Sequence, residues 1–136
     1  MKYAIRYYSK TGHTQKMAMS IAEEIGVRAE TVDVPIEEDV DILFLGSAVY
    51  AAGISSEIKK FIAGLDSKIE KVVNFSSAAI LPSSYSQIKT LLKAKNIPLD
   101  EREFHCRGQF SALHRGRPNE KDLNNLKEFI KIIVEK

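Results

Sequence analysis

Ser9-Lys10-Thr11-Gly12-His13-Thr14 brings three hydroxyls, a glycine, a lysine and an imidazole together within six residues. Where a helix begins in such a segment, its first backbone N–H groups have no acceptor in their own helix. The helix dipole makes that end partly positive, and the combination suits a phosphate group. The hydroxyls add donors, Gly12 permits close approach of the backbone, and Lys10 can place a positive charge at the rim. The segment lacks the Gly-Lys-Ser/Thr ending of a nucleoside-triphosphate loop and the three spaced glycines of a dinucleotide fingerprint. Lys10-Thr11-Gly12 with Ser56-x-x-Lys59 echoes the serine penicillin-binding enzymes. Those need a much larger chain, and the Ser-x-x-Lys pair recurs by chance at Ser86 and Lys89.

A loop of this kind works only if a strand delivers it and a helix leaves it. Tyr3–Tyr8 reads as a buried strand, followed by Met17, Ala18, Ile21, Ala22 and Ile25, an apolar helical stripe stopped by Gly26. Ala29–Val34 reads as a weaker strand ending at Pro35, and Pro35–Val40 is too short for a full helix. Asp41–Val49 is the clearest strand. Ser56 has the type and position of an N-cap, with Ile58, Phe61, Ile62 and Leu65 behind it. Lys71–Ser76 is a fourth strand, Ile88, Leu91 and Leu92 mark the next helix, and Glu103–Phe110 is a fifth strand. Pro118-Asn119-Glu120-Lys121-Asp122 opens a last helix that buries Leu123, Leu126, Phe129, Ile130 and Ile133. Five strands alternating with four or five helices imply right-handed crossovers and a parallel sheet covered on both faces. Such a sheet binds at the carboxyl ends of its strands. Ser9–Thr14, Ser47–Gly53, Ser76–Pro82 and Ser111–Arg117 are therefore the loops expected to carry function.

Length and composition limit the alternatives. At 136 residues, 44% apolar and 28% charged, the chain reads as a single domain over 1–136 with one ordinary core. Its apolar runs fall far short of the ~20 residues of a membrane span, and Met1–Thr14 lacks the apolar centre of a signal peptide. Cys106, the sole cysteine, excludes an internal disulfide and fits a reducing, cytoplasmic setting; it reads as a core thiol. With three scattered histidines it makes no zinc site, and His105 and His114 read as structural or surface groups. Met1–Lys68 carries 8 basic and 10 acidic residues and Ile69–Lys136 carries 12 and 8, so the halves stand at −2 and +4. The excess lies at Arg102, Arg107, Arg115 and Arg117, a solvated surface or a rim for an anionic ligand or partner. A net charge of +2 is too small for the footprint of a nucleic-acid binder.

Taken together, these segments resemble the flavodoxin family. Ile5, Tyr7, Ser9, Gly12, Thr14, Ala18 and Ile21 fall at the spacings of that family's phosphate-loop signature. Leu45-Gly46-Ser47-Ala48-Val49-Tyr50, followed by Gly53, is similar to its second flavin loop. Phe104-x-Cys106-x-Gly108 and Gly116-Arg117-Pro118-Asn119-Glu120-x-Asp122-Leu123 resemble a branch known simply as flavodoxin-domain proteins. The departure is Arg6, at a signature position normally apolar or aromatic. Inside a central strand it is costly unless an acid such as Asp33 or Asp41 pairs with it. A response-regulator receiver would need acids where Ser9 and Ser47 stand, and a low-molecular-weight phosphatase would need Cys-x5-Arg after the first strand.

The resemblance implies a flavodoxin-like three-layer α/β sandwich, with a five-stranded parallel sheet of order 2-1-3-4-5 and helices on both faces. It implies non-covalent flavin mononucleotide (FMN), with its phosphate on Ser9, Lys10, Thr11, Gly12, His13 and Thr14. The ring would lie against Ala48, Val49, Tyr50, Ala51, Ala52 and Gly53, with Tyr50 the best stacking residue and Tyr85 a weaker one. Backbone of Ser76, Ser77, Ala78 and Ala79 would meet the ring edge. In the family a backbone carbonyl near the second loop's glycine accepts the proton of the reduced ring, and Ala51-Ala52-Gly53 is the matching stretch. The expected role is electron carrier or small flavin-dependent reductase, meeting an acidic redox protein or a small-molecule acceptor, with neither nucleic acid nor membrane as partner. The competing class is a non-redox binding module that has kept the fold and lost FMN.

Overall fold

Because strand side chains alternate between faces, Ile42–Leu45 can be apolar throughout only if both faces are covered. The computed structural model, which describes residues 1–9, 12–49, 54–78, 84–107 and 118–135, has that arrangement. The elements are β1 (Tyr3–Tyr7), α1 (His13–Ile25), β2 (Ala29–Thr31), β3 (Val40–Val49), α2 (Ser56–Ala63), β4 (Ile69–Ala78), α3 (Tyr85–Ala94), β5 (Phe104–Arg107) and α4 (Glu120–Val134). The sheet is parallel in the order β2-β1-β3-β4-β5. Leu43, Leu45 and Val72 pack with Ile58, Ile62, Ile88 and Leu92 under α2 and α3. On the opposite face Ile5, Phe44, Val73 and Phe75 pack with Met17, Ile21, Leu126 and Ile130 of α1 and α4. The β3–β4 ladder runs from Val40↔Ile69 to Val49↔Ala78 and forms the spine of the sheet.

The differences from the sequence reading are local. β4 runs to Ala78 rather than stopping at Ser76, so Ser77 and Ala78 also belong to the sheet and not to the loop after it. The N-cap of α2 is Ser55, not Ser56: Ser55 is extended (φ −71°, ψ 156°) and its Oγ accepts the Ile58 N–H at 3.3 Å. β2 ends at Thr31, and the chain crosses to β3 without a helix, as the short Pro35–Val40 stretch anticipated. α4 starts as read, with a reciprocal capping box between Asn119 and Asp122.

Arg6 explains how a crossover without a helix stays in place. Its partner is neither Asp33 nor Asp41 but Glu30, directly beside it in the β1–β2 register and 3.9 Å from its guanidinium. Asp41 instead accepts the backbone N–H of Lys2 at 2.7 Å. The stronger contacts of Arg6 are to backbone: Nε donates to the Val34 carbonyl at 2.8 Å and Nη2 to that of Pro35 at 3.2 Å. A guanidinium with five donors thus supplies the partners that a helix would otherwise have given those carbonyls.

Candidate functional site

The β1–α1 turn is built around a left-handed glycine. Gly12 precedes α1 with φ +88°, a conformation that L side chains rarely adopt. A Cβ there would meet nothing within 4 Å, so conformation, not close approach, is what requires glycine. Ser9 Oγ accepts the Gly12 N–H at 2.9 Å and closes the turn. Gly12 offers no side chain to cap α1, and the first turn has no acid to offset the helix dipole. Burial and then nearby Lys16 hold the His13 imidazole below its ordinary pKa, so at neutral pH it is uncharged. An added anion at this end would reverse that preference.

Thr14 is fully buried, and its Oγ1 lies 3.2 Å from Ser77 Oγ on β4. Two hydroxyls hold two protons, of which one is used between them, so the pair keeps one donor for another acceptor. Gly46 lets this happen: a Cβ at that position would overlap the Phe75 ring and come within 3.0 Å of Thr14 Cγ2. The absence of a side chain at Gly46 draws α1, β3 and β4 together at the carboxyl end of the sheet.

The other face of the same sheet end is polar and buried. Ser47 Oγ donates to Ser84 Oγ at 2.8 Å, and Asn74 Nδ2 donates to the same oxygen at 3.1 Å. Ser84 is the N-cap residue of α3, yet its side chain serves these strands rather than the helix. Ser76 Oγ, two residues beyond Asn74 on the same face, is buried without a hydrogen-bond partner among the described residues. The Ile54 N–H donates to Gln87 Oε1 of α3 at 3.1 Å. Ser47, Asn74, Ser84 and Gln87 were missed as a group in the sequence. Asn74 was the available signal, because an asparagine within an apolar strand run must find a partner when buried.

Of the residues expected to hold a ligand, Ser9, Gly12, His13, Thr14, Ser76 and Ser77 thus gather at the carboxyl ends of β1 and β4 and the start of α1. The backbone of Ala48, Val49 and Ala78 ends the β3–β4 ladder beside them. Lys10, Thr11, Tyr50, Ala51, Ala52, Gly53 and Ala79 lie outside the described residues, as do Arg115, Arg117 and the side chains of Cys106 and Arg107. Tyr85, the weaker stacking candidate, opens α3 and is half-buried. His105 is exposed, and Arg102 pairs with Asp100 at 2.9 Å. No helix among the described residues is long and apolar enough to cross a membrane, and none of them form a cluster of three metal ligands.

Residues 4–115 match the family model described as the flavodoxin domain. The chain belongs to the flavodoxin-domain family. A relative, an uncharacterized protein of Methanocaldococcus jannaschii, is 30% identical over 149 residues, covering 98% of this chain and 99% of that protein. Among solved structures, a flavodoxin from the domain Archaea superposes with TM-score 0.77 at 18% identity, over 99% of this chain and 97% of the other. Flavodoxin 1 of Bacillus cereus gives 0.72 at 17%, over 96% and 95%. Rubredoxin oxygen:oxidoreductase of Desulfovibrio gigas gives 0.66 at 19%, over 96% of this chain and 34% of that longer one. The flavodoxin-like fold of this chain therefore recurs both alone and as part of a larger protein.

Proposed function

We propose that this flavodoxin-domain protein binds FMN non-covalently and transfers electrons, as a carrier or a small reductase. The observation that carries the reading is the start of α1, where a left-handed Gly12 leaves the helix uncapped by side chain and without an acid in its first turn. A helix N-terminus with no acid in its first turn and hydroxyls around it favours a dianion. Ser9 and Gly12 shape the turn; the N–H groups opening α1 would hold the phosphate, and the Thr14–Ser77 pair would contribute one hydroxyl proton. Lys10, Thr11 and His13 would complete the donor set of that cradle. The buried, unpartnered Ser76 hydroxyl supports a polar ligand edge at the end of β4. Residues 48–53, with Tyr50 as the aromatic wall, and the backbone of 76–79 would flank the ring. When bound, FMN supplies the one- and two-electron chemistry; the chain binds it, orients it and sets its surroundings.

The test is direct. The purified protein should be yellow, release its pigment on acid precipitation, and take up one equivalent of FMN again after removal. A colourless protein that takes up no added FMN would favour the cofactor-free binding module instead. For the partner, the basic residues Arg107, Arg115 and Arg117 in the half that carries +4 favour an acidic redox protein.

A further inference from the structure

We infer that Gln87 is a positioning residue for the second flavin loop, its side-chain oxygen holding the backbone where the chain emerges from residues 50–53. The inference rests on the FMN reading above, and on a hydrogen bond between residues 33 apart in sequence: Ile54 N–H to Gln87 Oε1, at 3.1 Å. Ile54 directly follows the loop, and three contacts fix the chain there. The Ile54 side chain is buried in the α2–α3 core, Ser55 caps α2, and Gln87 takes the Ile54 N–H. Of these three, the Gln87 contact is the one made to the backbone from outside the loop–α2 unit.

Gln87 is also firmly held. Its helix begins at Ser84, whose hydroxyl is bonded to both Ser47 of β3 and Asn74 of β4. Ile88, the next residue, is fully buried. The first turn of α3 is therefore locked to the strands on either side of the proposed ring site, and Gln87 passes that rigidity to Ile54. Neighbouring Ser86, Lys89, Thr90 and Lys93 on α3 are exposed, as expected for a surface helix; Gln87 is half-buried and turned to the backbone. A ligand-binding segment held in place before binding loses less freedom when the ligand arrives, which raises affinity.

Three variants test this. Gln87→Met keeps length and removes the acceptor, Gln87→Ser shortens the side chain without adding apolar surface, and Gln87→Glu restores an acceptor oxygen. In flavin-free protein, hydrogen exchange at the Ile54 amide should rise about tenfold or more in the first two and return toward wild type in Gln87→Glu. FMN affinity should fall about three- to tenfold in the first two, the range a single neutral hydrogen bond supports, and recover in Gln87→Glu. Any loss confined to one oxidation state appears as a midpoint shift of about 59 mV per tenfold for one electron. Wild-type FMN affinity and potential in both Gln87→Met and Gln87→Ser, with wild-type protein binding FMN, would overturn the role of Gln87 and leave the FMN reading standing. A wild-type protein that takes up no FMN overturns both.

Discussion

In the proposed site Thr14 would serve fold and ligand together. Its hydroxyl is buried against Ser77, so at that site a bond to phosphate would come through a shared pair rather than a lone exposed group. Thr14→Ala should weaken FMN about ten- to hundredfold, the ~1.5–3 kcal/mol of a hydrogen bond to a charged group, measured by fluorescence titration. Unchanged affinity would remove Thr14 from the site. Ser77→Ala, which breaks the same bond without touching α1, separates the two contributions. Gly46 has a purely steric role. Gly46→Ala should destabilise the fold by about 1–3 kcal/mol in urea unfolding, because its Cβ would overlap the Phe75 ring in a packed core. Combining it with Phe75→Leu should recover part of that loss.

The elements were legible in sequence wherever apolar periodicity was strong. Ile42–Leu45 and the stripes of α1 and α4 marked elements whose interior sides are buried as read. Boundaries set by hydrogen bonding were less legible. Ser55 and Ser56 are both good caps by type, and only backbone conformation makes Ser55 the cap. β4 outran its apolar run because Ser76 and Ser77 pair with β3 and β5 through backbone, which composition does not report. A strand arginine such as Arg6 needs partners, and here they are chiefly backbone carbonyls, which no residue type in the sequence marks. The connection from α3 to β5 carries an electrostatic prediction. Asp100 accepts from Arg102 and Lys71 at 2.9 Å each, and hydrogen bonds from Arg102 above all hold its carboxyl well below the usual range, against the opposing effect of burial. A depressed carboxyl pKa stabilises the fold above the unfolded value, about 3.9, and that contribution is lost as pH falls toward the folded value. Asp100→Asn should therefore be less stable than wild type at pH 7, with the difference in urea midpoint narrowing steadily below pH ~4. A constant difference would mean that Asp100 acts by packing alone.

At the scale of the whole molecule, the sheet order sets the slightly acidic amino-terminal half, with β1 to β3, beside the basic carboxy-terminal half, with β4 and β5. Exposed charges govern encounter more than affinity, and the screening length is only ~8 Å at physiological salt. Arg115→Glu with Arg117→Glu should slow electron exchange with an acidic partner at low salt, with FMN affinity far less affected, and the slowing should fade as salt is added. Stopped-flow rates across a salt series check this; an unchanged low-salt rate makes both arginines mere solvated surface. The crossover without a helix has its own consequence at this scale. β2 has three residues at the sheet edge, and the guanidinium of Arg6 ties its crossover to β1. A partial opening at this edge would be a peeling of β2 and that crossover from β1, a unit distinct from the β3–β4 spine. Because Thr31 pairs with Tyr7 and the Val32 N–H donates to the Tyr7 carbonyl, such breathing would bare the edge of β1 up to its carboxyl end while the β3–β4 ladder stays paired.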